Sequence, residues 1–337
     1  MKIAVVYNNP VKGKLDSEDV LDEVKLVVNS IKSLGYKFKK IPVGGKNGGD
    51  SIDKPLSFLS SELKKYSPDV IFNLIEEFAG KPSFQYHFPL LFDSLNYRYT
   101  GSGHEAIRIT DDKWLSKKIM NGSNILTPSF QIYKGKKIKI NVPLPCIVKP
   151  FAEHASVGIN DSSVFYDYKT LKKKLPKIYQ KNRQSLIIEH FIDGREFNIS
   201  LLETSHGHAE VLPPAEMLFK KWPKDKPKIL GYKSKWNENS FEYNNTKRRF
   251  NSRDVLSHKF KKIALKCWDT FKLKGYARVD MRVGLNSEIF VIEINTNPCI
   301  SSDSGFISAV KKAGYKPKDA VNFIIKSSYK NKNKKEK

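Results

Sequence analysis

The chain has 337 residues, 39% hydrophobic and 12% aromatic, a globular composition long enough for two or three units with real cores. No apolar run approaches the ~18 residues of a membrane span, and MKIAVVYNNP enters a strand at once without the basic, apolar and cleavage regions of a secretory leader. The net charge of +25 is mostly scattered lysine in a sequence rich in Asn, Ile and Tyr, so it reads as a solvated surface before a polyanion patch, and nucleic acid is not the expected partner. Cys146, Cys267 and Cys299 are odd in number and far apart. They predict reduced thiols and a cytoplasmic location, not a disulfide framework or a zinc site.

Residues 2–7 read as a buried strand, and 17–34 as a helix stopped at Gly35. A strand over 37–43, the flexible loop GGKNGGD, a helix over 56–65 and the strand DVIFNLIE follow. This alternation predicts a doubly wound, parallel α/β domain over residues 1–105. Thr110-Asp111-Asp112 caps a helix over 113–121. The strand PCIVKPF, the loop FAEHASVGIND, the helix YKTLKKKLPKIY and the strand SLIIEHF make a small α+β unit over 106–190. IDGREFNISLLE opens a last domain over 191–325, with a long polar stretch, a helix near 259–271 and a hairpin. Residues 326–337, a lysine-rich run, read as a disordered tail.

The hairpin carries the most chemistry. ARVDMRV and IFVIEINTNP flank GLNSE, a turn with Gly284, Asn286 and Ser287. Folding about the midpoint of Asn286 and Ser287 sets Asp280 against Glu293 and Arg278 against Asn295. Residues two apart share a strand face, so these four form one polar patch. Val279, Met281, Ile292 and Ile294 then face a core. Opposed carboxylates are destabilising unless a cation lies between them. Two carboxylates, an amide oxygen and an arginine suit Mg²⁺ and phosphate. The plainer alternative is a solvated hairpin face.

Other residues could serve a nucleotide. Lys149 ends a buried strand before a loop with Ser156 and Gly158, whose backbone N–H groups could meet phosphate oxygens. Lys113 lies in the first turn of a helix, where the dipole disfavours a cation unless an anion is near. Glu189 and Glu196 flank the crossover Ile192-Asp193-Gly194. Each alone also reads as an ordinary surface residue.

The order of these features resembles the ATP-grasp superfamily, and within it the D-alanine–D-alanine ligase family, over about residues 95–325. TGSG followed by DDKWLSK resembles the entry to the central domain and implies Lys113 as the first phosphate lysine. PCIVKPFAEHASVGI implies Lys149 as the second, with Ser156 and Gly158 in the phosphate loop. SLIIEHFIDGREF implies Glu189, His190 and Ile192 around the adenine and Glu196 on the ribose. GYKSKW resembles the mobile loop, with Lys235 near the γ-phosphate. YARVDMRV and VIEINTNP imply Asp280, Glu293 and Asn295 as Mg²⁺ ligands, with Mn²⁺ an alternative, and Arg278 at the developing oxyanion. Ser304 in SSDSGF falls where the family meets the second substrate's carboxylate.

Several segments depart from the family. KLDSEDV, with Glu18, matches its N-terminal glutamate motif poorly. IEEFAGKPSFQ, with Glu76 and Glu77, replaces HGxxGEDG. His154 and Ala155 replace a glycine and a serine, Trp236 a tyrosine and Cys299 a glycine. The nucleotide and metal half is thus kept and the amino-acid half altered. The resemblance implies an ATP-dependent carboxylate–amine ligase acting through an acylphosphate on amino acids or small peptides, and it allows a homodimer. A strict D-alanine–D-alanine ligase, a ligase acting on a protein or peptide tail, and a nucleotide- or polyanion-binding protein without turnover are the alternatives.

Overall fold

A computed structural model of the chain describes residues 1–11, 13, 15–44, 53–77, 82–151, 158–204, 208–251 and 254–329. The chain opens with β1 (Lys2–Asn8), α1 (Leu15–Glu18), α2 (Val20–Ser33), β2 (Lys37–Val43), α3 (Asp53–Tyr66), β3 (Val70–Leu74) and α4 (His87–Ser94). It continues with α5 (His104–Asp111), α6 (Lys113–Gly122), β4 (Phe130–Tyr133), β5 (Cys146–Pro150), β6 (Val164–Phe165), α7 (Tyr168–Asn182) and β7 (Leu186–His190). Then come β8 (Arg195–Glu203), β9 (Ala209–Val211), β10 (Ala215–Phe219), α8 (Tyr232–Trp236), α9 (Phe241–Asn245) and β11 (Thr246–Phe250). The last elements are α10 (Ser257–Thr270), β12 (Tyr276–Val283), β13 (Ile289–Asn295), α11 (Gly305–Lys312) and α12 (Pro317–Ser327). Among the described residues no helix is long and apolar enough to cross a membrane.

The first sheet is parallel, in the order β2-β1-β3. β1 alternates between two cores, as a doubly covered parallel strand must. Ile3 and Val5 pack with Val24, Val27 and Ile31 of α2, and Ala4 and Val6 with Leu59 and Leu63 of α3 and Phe88 of α4. The α2 side also holds Phe306 and Val310 of α11 and Ile324 of α12, so the end of the chain returns to cover its beginning. The helix expected over 17–34 is broken at Asp19 into α1 and α2. At the C-terminus α12 runs to Ser327, past the point where the sequence reading begins the tail. Arg98 lies over the Tyr329 ring at 4.8 Å, and the Tyr329 hydroxyl contacts Met1 Sδ at 2.9 Å. Residues 330–337 lie outside the described residues.

A second, antiparallel sheet runs β4-β7-β5-β6, with Leu171 and Leu175 of α7 packed on Val148 and Ile188. The third runs β11-β10-β8-β12-β13, with β9 also paired to β8. One face of it, with Phe197, Ile199, Val279 and Met281, packs on Phe260 and Ala264 of α10. The stretch that reads as long and polar from sequence is folded into β9, β10, α8, α9 and β11. Elements of three to five residues are too short to show a helical or strand period.

The hairpin keeps the expected register where it matters. Arg278 pairs with Asn295 and Asp280 with Glu293. Nearer the turn the register slips, so that Met281 opposes Val291 and Val283 opposes Ile289. Val291, at 0% exposure, therefore takes the core position expected for Ile292, which is only partly buried. A one-residue bulge swaps faces in this way. At the tip Gly284 N–H donates to the Glu288 carbonyl at 2.8 Å, and Ser287 adopts a positive φ of 64°.

Candidate active site

The polar face of the third sheet is continuous. Asp280 lies directly between Asn198 on β8 and Glu293 on β13, and Arg282 lies beside Glu196. Arg278 grips Asp280 with two hydrogen bonds, Nε to Oδ1 at 2.7 Å and Nη2 to Oδ2 at 2.9 Å. Asn198 Nδ2 donates to the same Oδ1 at 2.8 Å. Burial opposes the charge on Arg278, but Asp280 and Glu293 outweigh it and raise the guanidinium pKa. Lys235 of α8 also lies in this field. Burial first, and then Arg278, push its pKa down against the pull of Asp280, Glu293 and Glu196.

The opposed carboxylates are therefore offset within the chain, and their pairing alone does not demand a metal. The donor set is the stronger argument. Asp280, Glu293 and Asn295 are partly buried and share one face, and all offer oxygen, which fits Mg²⁺. Asn295 Oδ1 accepts from Asn297 N–H at 3.0 Å, which leaves one of its lone pairs for a ligand.

Lys149, expected from sequence, and Lys117, which was not, converge on one acid. Glu189 on β7 accepts from Lys149 Nζ at 2.7 Å and faces Lys117 Nζ at 3.3 Å; Glu189 and Lys117 side chains are each 2% exposed. Burial would raise the Glu189 carboxyl, but the two ammonium groups overcome it and hold it at about 2. Lys117 also donates to Thr127 Oγ1 at 2.9 Å, and that hydroxyl donates to the Val291 carbonyl of the hairpin at 2.8 Å. Burial lowers the Lys117 pKa, while Glu189 and, more weakly, Glu293 support its charge. Sequence reasoning missed Lys117. Its signal was position: it shares the buried side of α6 with Ser116 and Met120. Lys113 itself is the first residue of α6, partly buried behind the cap in which Asp112 accepts from Trp114 and Leu115 N–H.

Gly158 adopts φ +75°, and a side chain there would come within 3.0 Å of Pro150. Ser156, with His154 and Ala155, lies outside the described residues.

The crossover Ile192-Asp193-Gly194 is stapled to the hairpin by Arg282, a second residue not anticipated. Arg282 is 5% exposed. Its Nε and Nη2 donate to Glu196 Oε2 at 3.0 and 2.5 Å, its Nη1 to the Ile192 carbonyl at 2.8 Å, and Nη2 also reaches the Lys228 carbonyl. The signal was the i, i+2 series Arg278, Asp280, Arg282 on one strand face. Ile192 is buried, and burial lowers the partly buried His190 pKa, which favours the neutral imidazole. Gly194 passes so close to the hairpin that a Cβ would sit 1.9 Å from the Val283 carbonyl oxygen.

The GYKSKW segment, expected as a mobile loop, forms α8, with α9 after it, and is tied to the second sheet's unit. Lys226 bridges Asp161 at 2.5 Å and Glu242 at 2.8 Å. Gly231 lets the backbone approach Ile159, whose oxygen would be 2.9 Å from a Cβ.

Beyond Asn295 the site has an acidic end. Asp19, Glu23 and Cys299 bring one ligand atom each within 4.8 Å of one another. Cys299 donates to Asp19 at 3.0 Å, and Ile300 N–H to Glu23 at 3.0 Å. Burial raises the Glu23 carboxyl well above its usual range, and the charge of Glu76 adds to this. The Cys299 thiol is pushed up by burial and by the same acids. Ser304 caps α11, its hydroxyl accepting from Ile307 N–H at 3.2 Å. Arg248 of β11 lies beside this terminus.

Residues 128–326 match the family profile described as "D-ala D-ala ligase C-terminus". The "Uncharacterized protein y4sG" of Sinorhizobium fredii is 29% identical over 257 residues, covering 76% of this chain and 73% of that protein. The D-alanine–D-alanine ligase of Aquifex aeolicus is 27% identical over 304 residues, covering 89% and 92%. The crystal structure of D-alanine–D-alanine ligase from Bacillus anthracis complexed with ATP superposes with a TM-score of 0.76, at 20% identity and 99% coverage of each chain. The profile spans more than half of the chain, so the chain belongs to the D-ala D-ala ligase family, ATP-grasp proteins that are ATP-dependent ligases forming an amide bond.

Proposed function

We propose that this ligase activates a carboxylate as an acylphosphate and joins it to an amine of an amino acid or small peptide. A carboxylate oxygen attacks the γ-phosphorus of ATP and ADP leaves. The amine then attacks the acyl carbon and phosphate leaves. The observation that carries this reading is Lys117, which touches Glu189 beside Lys149 and is bonded through Thr127 to the metal hairpin. This network links the strand end that carries Lys149 to the hairpin, which supports reading them as the phosphate and metal ends of one site.

Lys149 and Lys113 take phosphate oxygens, with Ser156 and Gly158 in the loop that follows Lys149. Glu189, His190, Ile192 and Glu196 hold adenine and ribose. Asp280, Glu293 and Asn295 would hold Mg²⁺, with Mn²⁺ as the alternative, and the bound ion would offset charge on the phosphoryl oxygens. Arg278 steadies the acyl oxygen, and Lys235 approaches the γ-phosphate from α8. The α8–α9 segment excludes water, which would hydrolyse an acylphosphate. Glu23, Asp19 and Glu76 supply the negative charge for the first substrate's ammonium group, in place of the family's N-terminal glutamate motif. Ser304 meets the amine substrate's carboxylate. The free, buried Cys146 and Cys267 support a cytoplasmic setting, and a homodimer is the assembly we infer, checked by mass in solution.

The test is an amino-acid and dipeptide panel that includes D-alanine, with Mg²⁺ and ATP, read by phosphate release and product mass. Phosphate and ADP are expected. Pyrophosphate and AMP would reject the acylphosphate, and D-alanyl-D-alanine as the single product would narrow the chain to a strict D-alanine–D-alanine ligase.

A further inference from the structure

The amino-acid end of the site holds a guanidinium that the family resemblance does not include. Arg248 pairs with Met217, Met217 with Glu196, and Glu196 with Arg282. Directly opposed residues share a sheet face, so Arg248 faces the same side as Glu196, Arg282, Arg278 and Asp280. Its neighbour Arg249 faces the other side and is paired with Glu216 at 2.5 Å.

Arg248 has no carboxylate partner within ion-pair distance among the described residues. Its hydrogen bonds, both through Nη1, go to Ser308 Oγ at 3.0 Å and the Asp303 carbonyl at 3.5 Å. Arg248 is itself exposed, and partial desolvation together with the charge of Arg278 lowers its pKa, with Asp303 opposing. At Gly305, the first residue of α11, a side chain would come within 3.4 Å of Nη2, so the glycine keeps that ground open. Thr246, two residues earlier on the same strand face, has a buried hydroxyl with no hydrogen-bond partner among the described residues.

Two guanidinium groups thus face common ground. Arg278 is compensated by Asp280, and Arg248 is not. An amine substrate's own α-carboxylate is already provided for by Ser304 and the start of α11. The extra cation, turned toward the same side as Arg278, asks for a second anion.

We propose that Arg248 is a specificity-determining residue that selects an amine substrate with a second carboxylate, so that the acceptor is an acidic amino acid. This rests on the ligase reading above and names the class of its amine. The second carboxylate lies on the Arg248 guanidinium.

The experiment is calorimetric titration of the full chain, loaded with ADP and Mg²⁺, with glutamate and aspartate of both hands and with glutamine, asparagine and alanine. The acids are expected to bind about tenfold tighter than their amides, the scale of one charge-assisted contact. Arg248→Met should bring the acids down to the amides, and Arg248→Lys should restore part of the difference. Equal binding of acids and amides, no binding of any, or an undiminished preference in Arg248→Met overturns the proposal. Phosphate release is scored separately. A preference for acids without release rejects the ligase reading and keeps the Arg248 selectivity. Release with neutral amines alone rejects the selectivity and keeps the ligase.

Discussion

Lys117 Nζ lies 3.3 Å from Glu189 Oε1, and both side chains are 2% exposed. Buried charges persist only while they are paired, and removing one partner costs about 3–5 kcal/mol. Lys117→Met is therefore expected to lower stability by that order, seen in urea unfolding. Lys149 is less buried, at 13% exposure, and its loss leaves Lys117 on Glu189. Lys149→Met should lower the thermal midpoint less than Lys117→Met and raise the KM for ATP by about tenfold or more, one lost charge-assisted contact to phosphate. A Lys149 variant that unfolds as readily as the Lys117 variant would contradict this division of labour.

The same acid sets a pH dependence. Glu189 titrates at about 2 in the folded chain against 4.5 ordinarily. A lowered carboxyl adds stability above its unfolded value, and that stability is lost as pH falls from about 4.5 toward about 2. Unfolding free energy measured across this window should decline steadily. Glu189→Gln should lie lower at neutral pH and show a flatter decline. An unchanged slope in the variant would separate the acid transition from Glu189.

Glu23 has the opposite sign. Its carboxyl is raised by burial and by Glu76. Stability is then greatest below its unfolded value and is lost as pH rises through the folded one. Glu23→Gln should raise the thermal midpoint at pH 7 by a few degrees, since the amide oxygen can still accept from Ile300 N–H. It should also weaken binding of the carboxylate substrate, because the ammonium loses its charge partner. A variant that is stabler and binds as well as before would remove Glu23 from the substrate site.

Asp280→Asn and Glu293→Gln should each cut phosphate release by about a thousandfold, which is several kcal/mol of lost charge stabilisation. Chelation should silence the enzyme, with Mg²⁺ and then Mn²⁺ restoring it. Asp280→Asn also strips Arg278 of its bidentate partner, so its thermal midpoint should fall further than that of Glu293→Gln. Near-normal turnover in either variant would move the metal elsewhere.

Local pattern carried the frame of the site. Strand alternation alone placed Arg278, Asp280, Glu293 and Asn295 together, because a period of two admits only one polar face. Capping chemistry placed the start of α6 at Lys113, where Asp112 does accept from the first-turn amides. The bulge at Ile292 escaped this reasoning, since a slip in register changes no residue's propensity and is decided by which of Val291 and Ile292 the α10 core can bury.

The sequence by itself determined the order of lysine, crossover and hairpin, and hence the family, because those motifs are contiguous and their spacing is set along the chain. Only the tertiary structure decided which charge meets which. Lys117 is buried because Glu189 arrives from a strand about seventy residues later. Arg282 becomes a staple because the crossover at Ile192 folds back onto β12. Glu23 meets Ile300 because the segment after Asn295 closes over α2. Each is an electrostatic contact between distant segments, whose sign and strength depend on burial that no local window contains.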